Sequence, residues 1–336
     1  MRMKTKKTLI LETDAHGFSV AGEIIRRGGL VVFPTETVYG LGANALDATA
    51  CAKIFEAKGR PQDNPLIVHT AEVFSLARFA SVIETRAAAL IKAFMPGPLT
   101  LILPKTQDIP AAVTAGLPTV GLRVPSDSAA CQFLRAAGVP VAAPSANVSG
   151  RPSPTTFDMA RAAMDGRADA IIRGGDSCVG LESTIVRITE GGLEILRPGG
   201  VSEEDIRAAI LGCPVRGAGS LCPGDTPPAP GMKYTHYKPQ AEVVLFSGGK
   251  WNPPFADARG KTGVLTLTEK HAPFPRNFLV REIPSVEEYA RRLYAEFFLF
   301  DSLGCERIFA EYPPEAGLGR AVANRLLKAA GGKFLS

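Results

Sequence analysis

The stretch LVVFPTETVYGLGANA, residues 30–45, joins an apolar run to a loop rich in hydroxyl groups and glycines. LVVF carries no polar side chain, so it predicts a strand that is buried inside a sheet. Apolar runs that end in polar turns recur as far as about residue 210. Six more of these runs predict strands: PLIVH (65–69), LTLIL (99–103), VGLRV (120–124), VPVAA (139–143), AIIR (170–173) and STIVRI (183–188).

Helical patterns lie between these runs. Apolar residues recur at helical spacing in residues 87–94, and Ser202 with Asp205 forms a capping box that starts a helix through Ile210. Strands that alternate with helices predict an α/β fold, with an open twisted sheet. The 336 residues exceed the length of one typical domain, so we expect two domains.

The boundary is predicted at residues 212–239, where six prolines and five glycines in 28 positions disfavour regular structure. Long loops of this kind are often functional, and the aromatic and basic segment GMKYTHYKP favours an active-site lid over a plain tether. The predicted domains are therefore 1–211, a linker at 212–239, and a smaller Rossmann-like α/β domain at 240–336. In the last, EVVLF, GVLTL, FLV and RIFA predict strands, and helices are expected from Ser285 and over 319–330.

Composition narrows the class of protein. The net charge of +5 suits an anionic ligand but is too small to indicate a dedicated nucleic-acid protein. The six cysteines have neither CxxC nor zinc-finger spacing, and no apolar run is long enough to span a membrane, so we expect a cytoplasmic protein. The sequence also lacks the P-loop, GxSxG and HExxH motifs.

Three stretches carry candidate chemistry, each with an alternative. GLGANA fits a dinucleotide-binding pattern only weakly, and PTETVYGLGANA is otherwise a glycine-rich turn or a pocket wall on which Thr35 and Thr37 share a side. KGRPQDNPLIVH (58–69) is either a solvated turn or a phosphate-binding loop, with Lys58 and Arg60 flanking a glycine. Arg123, in an apolar strand, either meets a buried acid or faces a site.

Eight motifs, taken in order and spacing, resemble the YrdC-like threonylcarbamoyl-AMP synthases in their long two-domain form. They are PTETVYGLGANA, KGRPQDNPLIVH, MPGPLTLIL, VGLRVPS, APSANVSG, ESTIV, ILRPGG and PGMKYTHYKP. The resemblance implies a nucleotidyltransferase that converts L-threonine, bicarbonate or CO₂, and ATP into L-threonylcarbamoyl-AMP and pyrophosphate. A separate transferase would then modify an adenosine beside the anticodon of tRNA.

The resemblance also implies roles for individual residues. The catalytic set would be Lys58, Arg60, Ser145 and Asn147. The nucleotide would contact Lys58, Arg60, Asn64, Thr119, Ser145, Ser153, Arg197 and Tyr234. L-threonine would contact Thr35, Thr37, His69, Arg123, Ala143 and Ser183. Magnesium would arrive with ATP and be held mainly by phosphates, without a side-chain ligand.

Two other functions compete with this interpretation. One is a module that binds double-stranded RNA or tRNA without catalysis, although the cations are scattered through glycine-rich loops and do not form a basic stripe. The other is a carbamoyl-adenylate enzyme of hydrogenase maturation, whose acylphosphatase and zinc-finger regions have no counterpart in the sequence.

Overall fold

The computed structural model describes residues 7–217, 227–230, 237–247, 260–267, 274–275 and 277–335. The chain divides into two compact units, Met1–Ser149 with Pro154–Lys233 and Gly150–Ser153 with Tyr234–Ser336. Each unit has its own sheet. Among the helices of the described residues, none is long and apolar enough to cross a bilayer.

The first unit is built on a mixed sheet whose described strands number eleven. They are β1 (Leu9–Glu12), β2 (Val31–Phe33), β3 (Gly40–Asn44), β4 (Ile67–His69), β5 (Leu99–Pro104), β6 (Thr119–Arg123), β7 (Val141–Ala142), β8 (Ala170–Arg173), β9 (Thr184–Thr189), β10 (Gly192–Arg197) and β11 (Val215–Gly217). Their order is β1-β8-β2-β3-β7-β4-β6-β5-β9-β10-β11. Strands β4, β6 and β7 lie together at the middle of the sheet, and their ends carry several of the predicted site residues.

Helices cover the sheet. They are α1 (Ala15–Arg26), α2 (Ala48–Lys58), α3 (Leu76–Phe79), α4 (Thr85–Phe94), α5 (Ala111–Thr114), α6 (Ser128–Ala137), α7 (Phe157–Met164) and α8 (Glu203–Ala209). Helix α2 begins at Asp47, whose side chain accepts hydrogen bonds from the backbone N–H groups of Thr49 and Ala50. It ends at Gly59, whose φ of 59° is the left-handed conformation that glycine adopts without strain. This ending turns the chain sharply just after Lys58.

The predicted strands of the first unit are confirmed, and β2 and β4 are buried at every residue. The predicted capping box of α8 is also present. GLGANA, however, is no dinucleotide loop: residues 40–44 form β3, which runs antiparallel to β2. Glycine is needed there because a Cβ at Gly42 would lie 2.7 Å from Val141 Cγ1. The proline-rich segment also contains a short strand, β11, paired with β10.

The second unit has a four-stranded parallel sheet in its described part. Its strands are β12 (Glu242–Ser247), β13 (Thr262–Thr266), β14 (Phe278–Glu282) and β15 (Arg307–Tyr312), in the order β12-β15-β13-β14. Helices α9 (Val286–Ser302) and α10 (Gly319–Ala330) accompany them, and Ser285 caps α9 by accepting from Glu288 N–H. The α/β character predicted for this part of the chain is confirmed, and its described strands pair in parallel.

Candidate active site

Lys58 joins the end of α2 to the loop after β7. Its Nζ donates hydrogen bonds to the backbone carbonyl oxygens of Ser145 and Asn147, each at 2.5 Å, and lies 3.4 Å from Asn147 Oδ1. In return, Ser149 N–H donates to the Lys58 carbonyl oxygen at 2.9 Å. The lysine is only 1% exposed. It therefore fixes the loop and brings a positive charge to it.

The charged form of Lys58 is energetically unfavourable in its buried position. Burial lowers the pKa of the ammonium well below its usual value, the charge of Arg60 lowers it further, and Glu182 opposes the shift. An anion close to Lys58 would offset both effects, because it favours the protonated form. The electrostatics of the loop thus favour an anionic ligand.

Ser145 and Asn147 form a polar pair beside Lys58. Ser145 Oγ donates to Asn147 Oδ1 at 2.5 Å, and Asn147 Nδ2 donates to the carbonyl oxygen of Val148 at 2.8 Å. Ser145 also forms an isolated antiparallel β-bridge with Gly40, the first residue of β3. The loop after β7 therefore lies next to the end of the loop that connects β2 to β3. The structure therefore brings three of the four predicted catalytic residues, Lys58, Ser145 and Asn147, together.

Arg60 is held by the carbonyl oxygens that follow it in the loop. Its Nη2 donates to Asn64 O at 3.3 Å and to Pro65 O at 3.1 Å. Asn64 is 1% exposed, and its Oδ1 accepts no hydrogen bond from any residue that the structure describes. A buried acceptor of this kind suits a ligand N–H donor.

Arg123 meets a buried acid, which is one of the two possibilities that the sequence left open. Its Nη2 lies 2.8 Å from Glu36 Oε1, and both side chains are at most 5% exposed. Arg123 Nε also donates to Gly97 O at 3.4 Å. Burial raises the pKa of the Glu36 carboxyl, but the charge and hydrogen bond of Arg123, together with the backbone N–H groups of Glu36 and Ser126, lower the pKa below its usual value. The pair is a salt bridge of two ionised groups.

His69 lies beside this pair, because β4 and β6 run parallel with His69 in register with Arg123. Burial and the Arg123 charge lower the pKa of His69 to about 3, so the imidazole is neutral at physiological pH. Nδ1 lies 3.2 Å from the Ile67 carbonyl oxygen, which can only accept, so Nδ1 carries the hydrogen. Nε2 is then an acceptor.

Thr35 and Thr37 point to the same side, with their hydroxyl oxygens 2.8 Å apart. Thr35 Oγ1 donates to the carbonyl oxygen of Val38 at 2.6 Å, so the hydrogen between the two hydroxyls comes from Thr37. Both lone pairs of Thr37 Oγ1 are left to accept from a ligand. The loop is anchored by Ser177 Oγ, which donates to Thr35 O at 2.9 Å.

Ser183 connects two further predicted residues at the start of β9. Arg197 Nη2 donates to the Ser183 carbonyl oxygen at 2.9 Å and to its Oγ at 3.2 Å, and Thr100 Oγ1 lies 2.7 Å from the same Oγ. A Cβ at Gly199 would lie 2.2 Å from the carbonyl oxygen of Glu182, so glycine is required where ILRPGG passes this strand.

The remaining predicted residues are more dispersed. Ala143 is buried and its N–H donates to Ile67 O, which places it beside β4. Thr119 lies at the other end of β6 from Arg123. Ser153 is buried in the segment Gly150–Ser153, which belongs to the second unit. Tyr234 and most of the predicted lid lie outside the described residues.

Sequence reasoning missed Glu36. It lies between Thr35 and Thr37, and the sequence signal for it is an acidic residue close to a buried strand. Glu36 and Arg123 are 87 positions apart in the sequence. Their pairing therefore could not be predicted from a local sequence pattern.

Comparison with known proteins identifies the family. A family model described as "Telomere recombination", Sua5_yciO_yrdC, matches residues 23–199, and one described as "Threonylcarbamoyl-AMP synthase, C-terminal domain" matches residues 201–331. The chain belongs to the threonylcarbamoyl-AMP synthase family.

Relatives of this synthase family match over nearly their whole length. The threonylcarbamoyl-AMP synthase of Pyrococcus abyssi is 43% identical, with 94% of each chain covered. That of Bacillus subtilis is 40% identical over 99% of this chain and 100% of its own. A crystal structure of P. abyssi Sua5 complexed with L-threonine superposes with a TM-score of 0.88 at 40% identity, covering 98% of this chain and 99% of that one.

Proposed function

We propose that this protein forms L-threonylcarbamoyl-AMP and pyrophosphate from L-threonine, bicarbonate or CO₂, and ATP. Family membership supports this reaction over an RNA-binding module, because the relatives that match over both domains are named as synthases. The observation that carries the proposal is a pair of charged groups at the middle of one sheet, at the loop after β7 and at the end of β6, two strands that flank β4. Lys58 holds the loop at Ser145, and Arg123 pairs with Glu36 at the end of β6.

The two groups are connected through short contacts. Strand β7 lies between β3 and β4, and the chain passes from Ala142 to Ser145 in three residues. Ser145 bridges to Gly40, which follows the Thr35–Thr37 loop. This arrangement suits a reaction that joins an amino acid to a nucleotide, because both reactants must be held in one orientation.

On the amino-acid side, Arg123 would bind the substrate carboxylate through a charge-assisted hydrogen bond. Neutral His69 adds no competing charge, and its Nε2 would accept a hydrogen bond. Thr37 Oγ1 would accept from the hydroxyl group that distinguishes threonine from an aliphatic amino acid. Ser183, held by Arg197, would complete the polar wall.

On the nucleotide side, Lys58 and Arg60 would neutralise phosphate charge. The long contact from Lys58 Nζ to Asn147 Oδ1, at 3.4 Å, is the one most easily exchanged for a phosphate oxygen. Asn64 Oδ1 would accept from an N–H group of the nucleotide. Thr119, Ser153, Arg197 and Tyr234 stay predictions as further nucleotide contacts.

Magnesium would enter as part of the MgATP substrate. The residues present fit this role, because Ser145 Oγ and Asn147 Oδ1 lie 2.5 Å apart and offer oxygen atoms to the ion's water shell. When bound, the ion supplies positive charge to the phosphates. Ser145 and Asn147 would orient the phosphates from the protein side.

The reaction requires little covalent chemistry from protein side chains. The threonine amine, after its ammonium form loses a proton to solvent, attacks CO₂ to form a carbamate and releases a second proton to solvent. A carbamate oxygen then forms a bond to the α-phosphorus while the bond to pyrophosphate breaks. Positioning, charge neutralisation and exclusion of water are the contributions expected from the chain. The product is a labile mixed anhydride, so a transferase that delivers the threonylcarbamoyl group to tRNA would consume it.

The test is to supply the full chain with MgATP, bicarbonate and each amino acid in turn, and to measure pyrophosphate. We expect release that depends on both threonine and bicarbonate, with a product whose mass equals threonylcarbamoyl-AMP. Release that does not depend on the amino acid would contradict the proposal. RNA binding without pyrophosphate release would favour the non-catalytic alternative.

A further inference from the structure

The side-chain hydrogen bonds of Glu36 to the described residues use one of its two carboxyl oxygens. Oε1 accepts from Arg123 Nη2 at 2.8 Å, whereas Oε2 is buried and accepts no hydrogen bond from the residues that the structure describes. Glu36 is 4% exposed, so bulk water does not replace the missing donor. A buried carboxylate oxygen without a donor is unfavourable, and in a site it points to a ligand that supplies one.

The backbone holds this carboxyl in place. Val179 N–H donates to the Glu36 carbonyl oxygen at 2.7 Å, and the preceding carbonyl, of Thr35, accepts from Ser177 Oγ at 2.9 Å. The residue is therefore tethered at its backbone and at Oε1. Such a group is organised before the ligand arrives, which reduces the entropic cost of binding.

Arg123 offers the complementary group. Its Nη2 and Nε are engaged by Glu36 and Gly97, but Nη1 makes no hydrogen bond to the described part of the chain. The salt bridge thus leaves Glu36 Oε2 available as an acceptor and Arg123 Nη1 available as a donor. His69, which lies in register with Arg123, is neutral and does not compete for either.

An α-amino acid carries a carboxylate and an ammonium group on one carbon, which is the charge pattern that this pair complements. We propose that Glu36 binds the amino group of the amino-acid substrate through Oε2 while Arg123 binds its carboxylate. The inference rests on the proposed function, since it assumes that an amino acid is the substrate. A carbamate nitrogen keeps one hydrogen, so the same oxygen can hold the substrate after CO₂ is captured.

A purely supporting role for Glu36 would give a different pattern. If the carboxylate only oriented Arg123, its loss would weaken every ligand that uses Arg123, whether or not the ligand has an amino group. If Glu36 contacts the amino group, the loss is confined to ligands that carry one. Two fragments of threonine separate these cases: β-hydroxybutyrate lacks the amino group, and isopropanolamine lacks the carboxylate.

The experiment measures binding of threonine and both fragments to the full chain by NMR titration, which reads millimolar affinities. In Glu36→Gln we expect threonine and isopropanolamine to weaken about tenfold or more, since a charge-assisted contact is lost, while β-hydroxybutyrate changes less than about twofold. Arg123→Gln is the matched control. It should weaken threonine and β-hydroxybutyrate but spare isopropanolamine.

Equal weakening of threonine and β-hydroxybutyrate in Glu36→Gln would overturn the proposal and assign Glu36 to orienting Arg123. Unchanged threonine affinity would overturn it as well. If the glutamine variant does not fold, Glu36→Asp tests the same contact, because its carboxylate is shorter by one methylene group. ATP binding serves as the control for folding. Failure of the unmodified protein to bind threonine would instead contradict the proposed function.

Discussion

The Lys58 ammonium group lies 2.5 Å from the backbone carbonyl oxygen of Ser145, 87 positions further along the chain. This single contact ties the end of helix α2 to the loop after β7 and places a buried charge between them. It links one predicted catalytic loop to another.

Replacing Lys58 by alanine should lower the rate of pyrophosphate release about 100-fold or more, because a charge directed at the phosphates is removed. The carbonyl oxygens of Ser145 and Asn147 would also lose their donor. Threonine binding should change little, since Lys58 does not contact the Arg123 pair. Lys53→Ala is the control: Lys53 is on the same helix and donates to a carbonyl oxygen, of Gly28 at 2.7 Å. A similar loss in both variants would contradict a specific role for Lys58.

Replacing Arg60 by alanine should raise the KM for ATP about tenfold or more, because hydrogen bonds to charged groups are among the stronger ones in proteins. The guanidinium is positioned by the carbonyl oxygens of Asn64 and Pro65. The KM for threonine should stay near its original value. Steady-state kinetics with each substrate varied in turn would measure both, and Arg161→Ala, at an exposed position of α7, controls for net charge. An unchanged KM for ATP would rule out the assignment of Arg60.

Replacing Thr37 by valine should reduce the preference for threonine over α-aminobutyrate about tenfold, because one hydrogen bond to the substrate hydroxyl is lost. Thr37 Oγ1 donates to Thr35 and so has free lone pairs to accept. Thr37→Ser keeps the hydroxyl and should retain the preference. The readout is the ratio of kcat/KM for the two amino acids. An unaltered ratio in the valine variant would mean that a residue other than Thr37 binds the hydroxyl group of threonine.

His69 should make stability depend on pH in a defined direction. Its folded-state pKa of about 3 lies below the ordinary value of 6.5, so between these values the unfolded chain binds a proton that the folded chain does not. Stability from this group is fully present above the ordinary value and is lost as the pH falls.

The slope expected for one proton is about 1.4 kcal/mol per pH unit. The difference in unfolding free energy between the original protein and His69→Asn should therefore shrink by about that amount for each unit between about pH 6 and pH 4. Urea unfolding at several pH values would measure it. His16→Asn, at an exposed residue of α1, is the control for the loss of a histidine side chain. A constant difference for His69→Asn would mean that the imidazole is not held neutral.

Much of the fold could be predicted because its causes are local. The apolar runs VVF and AII became buried strand residues, and Ser202 and Ser285 became helix caps, since these patterns depend on only a few neighbouring residues. GLGAN was missed as a strand because glycine disfavours strands in general. Only the closeness of Val141 explains why glycine is used at residue 42.

For the site, the sequence by itself determined which side chains were available: cations at 58, 60 and 123, and hydroxyls at 35, 37, 145 and 183. The tertiary structure decided their partners. Glu36 became the acid for Arg123, and Lys58 reached Ser145, because the sheet order places β3, β7, β4 and β6 side by side. Both contacts join residues 87 positions apart, a separation at which pairing is set by strand order and burial and not by local preference.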